Sequence, residues 1–205
     1  MKKILLLFSF VLAFLTNAQV STYSFVQSTG TYTPLTGATV LATATSANTL
    51  DSAVYPVTLP FNFSFNGVNY SSLNVSTNGF LTFGATAPGT FTSAPISSTE
   101  AYSGAVSPFG GDLNAIFNVA SVTGNISWAV VGTAPNREIV VQWADFRPTW
   151  STSTTNAYSI SFQVRLKETV NTISAVYLKG SYLAGTTAIS GTRQVGLRGA
   201  TNADF

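Results

Sequence analysis

The chain has 205 residues, no histidine, no cysteine and only 8% charged residues, which excludes His-based triads, thiol nucleophiles, disulfide staples and the usual zinc ligand sets. Nine basic residues face seven acidic ones, but Lys2 and Lys3 sit in the N-terminal leader, and without them the counts are equal at seven. That neutral remainder lacks the basic footprint of a nucleic-acid or anionic-membrane binder.

Residues 1–18 have the plan of a secretory signal peptide. Lys2 and Lys3 form the positive start, and residues 4–15 form an uncharged, mostly apolar run of twelve. Thr16-Asn17-Ala18 supplies the short residues of a cleavage site. A bilayer-spanning helix needs about 20 apolar residues, so this run is too short for an anchor. Cleavage between Ala18 and Gln19 leaves residues 19–205 as one exported domain, with a leader of bacterial style. Without disulfides, its stability must come from a large β core.

Beyond the leader the dominant period is two, the mark of strands. Phe61, Phe63 and Phe65 alternate with Asn62, Ser64 and Asn66. Pro56 and Pro60 assign this segment to a sheet edge or a strand end, because proline donates no amide hydrogen to a ladder. Asn66-Gly67 turns the chain into a second strand. Asn78-Gly79, within the stretch NVSTNGFLTFG, turns it into a third, with Leu73, Val75, Phe80 and Phe83 as core residues. Residues 85–107 make a long loop rich in Pro, Ser, Thr and Gly, and a loop of that length in a compact domain calls for a function.

Ile126, Trp128 and Val130 share one strand face, and Ile139, Val141 and Trp143 another. Ala134-Pro135-Asn136-Arg137 joins the strand ending near Val131 to the one starting near Glu138. Residues 148–156 form a Ser/Thr loop carrying Trp150. Tyr158, Ile160, Phe162, Val164 and Leu166 then alternate with Ser159, Ser161, Gln163, Arg165 and Lys167, one apolar face and one wet face. A turn at residues 168–171 leads into a strand over residues 172–178, and residues 179–191 form a third loop. Turn signals every ~10 residues, with no helical stripe, predict an all-β antiparallel sandwich, jelly-roll-like in form.

The stretch LPFNFSFNGVNYSSLNVSTNGFLTFG resembles the opening of the nidogen-type extracellular domain, with its PF strand, its F-N-G-x-x-Y hairpin and its V-x-T-N-G-x-x-x-F-G hairpin. SPFGGDLN is similar to that family's PFWxD element, with Gly110 where the family has Trp. REIVVQWADF and NAYSISFQVRL resemble its paired V-x-W and N-x-F-Q-V-x-L strands. The likeness covers residues 55–178. Residues 46–61 and the run GTAPNREIVVQW also resemble the N-terminal β-domain of large exported surface proteins of gliding-type Gram-negative bacteria. Those proteins continue into fibronectin type III modules and a sorting domain for type IX secretion. The chain accordingly reads as the N-terminal part of a longer protein. The resemblance implies an adhesive or interacting extracellular module with no catalytic residues.

The remaining chemistry is carboxylate chemistry. The acids after the leader are Asp51, Glu100, Asp112, Glu138, Asp145, Glu168 and Asp204. Glu138 and Asp145 lie seven positions apart along one strand, about 23 Å, too far for a glycosidase pair. Asp112 and Asn114 are weak calcium candidates, since one Asp and one Asn fall short of six to eight oxygens. Trp150 on its polar loop is the main ligand-contact candidate, with Tyr102 as a companion. Ser52, in Asp51-Ser52-Ala53, fits a short O-glycosylation acceptor, with an ordinary turn as the plainer account. No cofactor is expected. The leading function is an exported non-catalytic module for adhesion to an extracellular protein or glycan surface. The alternative is a carbohydrate-binding module serving a polysaccharide-degrading enzyme, and a hydrolase using Asp112 and Asp145 comes third.

Overall fold

The computed structural model describes residues 20–205. Signal cleavage at Ala18 and Gln19 lies outside the described residues. A short 3-10 turn over Val20–Thr22 precedes eleven strands. They are β1 (Thr39–Thr43), β2 (Val54–Phe65), β3 (Val68–Ser76), β4 (Phe80–Phe83), β5 (Ala105–Gly110) and β6 (Leu113–Ala115). The second half adds β7 (Asn125–Val131), β8 (Glu138–Pro148), β9 (Ala157–Lys167), β10 (Ile173–Ala184) and β11 (Gln194–Arg198). They form two antiparallel sheets stacked as an open sandwich. One sheet has the order β1-β7-β8-β9-β10, with β6 also paired to β8. The other has the order β11-β5-β4-β3-β2.

Each sheet is built on a run of neighbours in chain order, β2 to β5 in one and β7 to β10 in the other. Except for β4–β5 and β8–β9, which are joined by the longer loops, these neighbours fold on short turns, and the turn residues explain them. Asn66 and Gly67 both have positive φ, 51° and 77°, in a two-residue turn between paired Phe65 and Val68. The second Asn-Gly is different. Residues 77–79 form a three-residue turn between paired Ser76 and Phe80, and only Gly79 has positive φ. Residues 132–137 separate β7 from β8 where expected, with a cis Ala134-Pro135 bond. Thr169 and Asn171 supply the left-handed positions between β9 and β10. β2, with Pro56 and Pro60, is an edge strand as its prolines required.

The core between the sheets joins the alternating apolar residues of both. Phe63, Phe65, Leu73, Val75 and Phe83 meet Ile139, Val141, Trp143, Phe162, Val164 and Leu166 in one cluster. Each such side chain removed from water contributes about 1.5–3 kcal/mol. Phe65 and Phe83 stack at 4.6 Å, and Trp143 and Phe162 at 5.1 Å. The Trp143 Nε1–H also crosses to the other sheet and donates to the Ser76 carbonyl at 2.9 Å.

Two expectations about exposure change. The polar face of β9 is not wet: Ser159, Ser161 and Gln163 are buried. The segment from Tyr23 to Ala38, without a ladder of its own, supplies the cover. Gln163 Nε2 donates to the Thr33 carbonyl at 2.8 Å and to Gln142 Oε1 at 2.9 Å. Gln142 Oε1 in turn accepts from the Leu35 amide at 3.0 Å. Phe80 is buried as expected, but outside the inter-sheet core. It follows Asn74 and Ser76 on the opposite face of its sheet, where Asn74 Nδ2 donates to the carbonyls of Gly84 and Thr86. The loop over residues 85–104 therefore covers this sheet as the N-terminal strap covers the other.

The third expected loop also starts later than expected. β10 continues past Lys179 to Ala184 through a bulge between Leu178 and Ser181. Gly180 makes the bulge feasible, since a Cβ there would sit 2.3 Å from the Tyr158 hydroxyl.

Candidate functional site

The turn at residues 77–79 lies at one end of the sandwich, and it is buried. Ser76 and Thr77 are fully buried and Asn78 is 2% exposed. Thr77 Oγ1 donates towards the carbonyls of Asp51 and Ala53 and accepts from the Ala53 amide. The Asn78 carbonyl accepts from the Gly111 amide at 3.1 Å. Its side-chain Oδ1 accepts from the Leu113 amide at 3.2 Å, and its Nδ2 donates to the Thr92 carbonyl at 2.9 Å. Gly79 lies so near the Phe109 carbonyl that a Cβ would approach it to 2.5 Å. One small turn thus gathers the segment before β2, the 85–104 loop and the β5–β6 connection.

The loop after β8 joins the same end. The Thr149 amide donates to the Asp112 carbonyl at 3.1 Å, and Thr149 Oγ1 donates to Asp51 Oδ1 at 3.0 Å. Next to Thr149 stands Trp150, 60% exposed. Arg147, 5% exposed, fixes the rest of this loop by donating to the carbonyls of Ser153 and Thr152 at 2.9 and 3.4 Å. Arg147 makes no ion pair among the described residues, and its burial alone pushes its pKa down.

The 85–104 loop is held in the same way. Arg198, 1% exposed, donates to the carbonyls of Pro95 and Glu100 at 3.3 and 2.6 Å. It also lies 4.1 Å above the Tyr102 ring. Tyr102 is 2% exposed, and its hydroxyl donates to the Pro95 carbonyl. Burial raises its pKa, with the Arg198 charge opposing the shift. The companion role given to Tyr102 beside Trp150 is therefore corrected: the ring is spent on anchoring its own loop and offers no face to a ligand.

The other candidate residues are scattered. Asp112 is exposed while Asn114 is 4% exposed, so the two do not present oxygens together. Asn114 Oδ1 is buried without a partner. Among the described residues no group of three or more acidic side chains converges on a metal-sized site. Asp145 accepts from Ser159 Oγ at 2.7 Å, whereas Asp112 has the Arg193 charge for a neighbour. Ser52 is half-buried in the segment tied to Thr77. The buried arginines were missed in the sequence because nothing local distinguishes an arginine bound to distant carbonyls from one in solvent.

A family model described as NIDO related, for nidogen-related domains, matches residues 22–205. The chain belongs to the nidogen-related family. Curated proteins and solved structures give no significant match. Nidogen-related domains are extracellular β-modules of no known enzyme family. In this nidogen-related chain the T-N-G hairpin is the hub just described. Gly110, in place of the tryptophan of the resembling element, has no room for a side chain: a Cβ would lie 2.4 Å from Ser107 Oγ and 2.8 Å from Pro95 Cγ. The long loop occupies that space instead. No helix among the described residues is long and apolar enough to cross a membrane.

Proposed function

We propose that this nidogen-related domain is a non-catalytic adhesion module, exported after removal of residues 1–18, that attaches the protein carrying it to a surface outside the cell. Contact is made through the loops at the end of the sandwich that holds the T-N-G hub. The observation that carries this reading is Trp150, 60% exposed on a loop whose carbonyls are clamped by the buried Arg147. An exposed tryptophan on a fixed backbone offers a large apolar face with little ordering cost on binding. Asp51 and Asp112, both exposed beside it, add acceptors for hydroxyl or amide donors.

The test is retention of the chain, displayed on beads, on extracellular matrix and on bacterial cell surfaces. Trp150→Ala should abolish retention and leave the unfolding midpoint unchanged. Retention that survives in Trp150→Ala would remove this end of the sandwich from the account.

A further inference from the structure

The hub ties a second exposed aromatic to the Trp150 end. Phe91 is 82% exposed within a tight turn closed by the Thr92 amide donating to the Gly89 carbonyl at 3.1 Å. Glu100 braces that turn from beneath, accepting from the Gly89 amide at 2.6 Å and from Thr92 Oγ1. Thr92 is the residue whose carbonyl is held by Asn78. The bonded path from Phe91 to Trp150 then runs through Thr92, Asn78, Gly111, Asp112 and Thr149, one residue or one hydrogen bond at each step. Its contour is at most about 30 Å, set by Cα spacings and hydrogen-bond lengths.

The chemistry around the two rings is uniform. Residues 85–99 and residues 149–156 contain no ionisable side chain and are dense in Thr and Ser. The arginines that hold these loops, Arg147 and Arg198, are buried against carbonyls, and Glu100 is turned onto the Phe91 turn. The charges at the hub are the exposed carboxylates Asp51 and Asp112 and the half-buried guanidinium of Arg193, which already faces Asp112. A strongly anionic chain finds only Arg193, half-buried and already neutralised by Asp112, and a cationic one finds two acceptors at most. A neutral chain with apolar ring faces and many hydroxyls matches the pattern: rings to stack, hydroxyls to donate and accept, and carboxylates to accept.

We infer that Phe91 and Trp150 are the two stacking faces of one binding surface for a neutral polysaccharide, lying across the T-N-G hub. This inference rests on Trp150 being a recognition residue and adds its partner ring and its ligand class.

The test uses the processed chain in native affinity gels containing a neutral β-glucan, a neutral galactomannan, or alginate as the anionic comparison. At least one neutral polymer should retard the chain. Phe91→Ala and Trp150→Ala should each weaken that binding by about tenfold or more, the usual effect of losing a central aromatic contact. Val195→Ser, at a site 63% exposed on β11, should leave it unchanged. All three variants should keep the wild-type circular dichroism and unfolding midpoint. Loss in Trp150→Ala with none in Phe91→Ala overturns the pairing and keeps Trp150 as the contact. Equal retardation of both aromatic variants and wild type overturns the inference and the Trp150 reading together. Retardation by alginate alone overturns the neutral class, and retardation by no polymer while bead retention on matrix protein still depends on Trp150 overturns the glycan class and points to a protein partner.

Discussion

Asn78 makes four hydrogen bonds from one buried position. Its amide donates to Ser76 Oγ, its carbonyl and Oδ1 each accept an amide, and its Nδ2 reaches Thr92. Asn78→Ala strands the Leu113 amide and the Thr92 carbonyl, and each buried orphan costs about 1–3 kcal/mol. The expected loss is about 2–4 kcal/mol in denaturant unfolding. Gly79 and Gly37 allow a cleaner comparison. Both have φ near the left-handed region, 75° and 64°, but a Cβ at Gly37 meets nothing within 4 Å. Gly37→Ala should cost about 1–2 kcal/mol for backbone handedness alone. Gly79→Ala should cost clearly more, because the Phe109 carbonyl is in the way. Equal costs in the two variants would remove the close approach from the explanation. The Asn-Gly pair was legible as a hairpin from its neighbours. Its burial was not, because its partners lie at residues 92, 111 and 113.

The two long loops behave as elements of structure although neither contains a ladder of its own. Each is clamped by a buried arginine through carbonyl oxygens, a set of charge-assisted hydrogen bonds. Arg147→Met keeps length and apolar stem but removes the donors. Amide exchange in residues 151–156 should then quicken by an order of magnitude or more, while amides of β8 and β9 keep their protection. Unchanged exchange in that loop would show that Arg147 does not hold it. The strands with clear alternation, β9 above all, were readable because each residue's face follows from its neighbours. The short strands β1, β6 and β11 were not. Three to five residues carry too little periodicity, and they pair only because longer strands already present an edge.

At the scale of the molecule, the strap from Tyr23 to Ala38 and the 85–104 loop add a cover to each sheet. The strap brings Tyr32 over the buried polar rows, beside Ser161, Asp145 and Arg165. Burial first, and the Asp145 charge second, push its pKa up to about 12 from the ordinary 10.0. The sign follows directly. Between pH 10 and 12 the unfolded chain releases this proton while the folded chain retains it. Stability contributed by the neutral phenol is intact below pH 10 and is lost as pH rises through 12. Denaturant unfolding should show a falling midpoint across that window, and Tyr32→Phe should flatten part of the fall. Tyr55, Tyr102 and Tyr177, also raised by burial, keep the rest. Within the same window, protease cleavage inside residues 24–38 should precede cleavage of the sheets. A strap that stays protected until global unfolding would contradict a separable cover.

What residue order alone determined is the class of object: strands of period two, turns at Asn-Gly and Pro-Asn, an apolar face on each strand, and no histidine or cysteine for chemistry. Those are local properties, set by pleat geometry, backbone sterics and composition. What only the tertiary structure decided is which polar residues vanish from solvent. Gln163, Asn78, Arg147, Arg198 and Tyr102 resemble surface residues in any local window, because polar type and flanking sequence are all such a window contains. Their burial depends on carbonyls and amides brought in from far along the chain. The same folding leaves Trp150 and Phe91 outside, exposed on loops that those buried groups hold still.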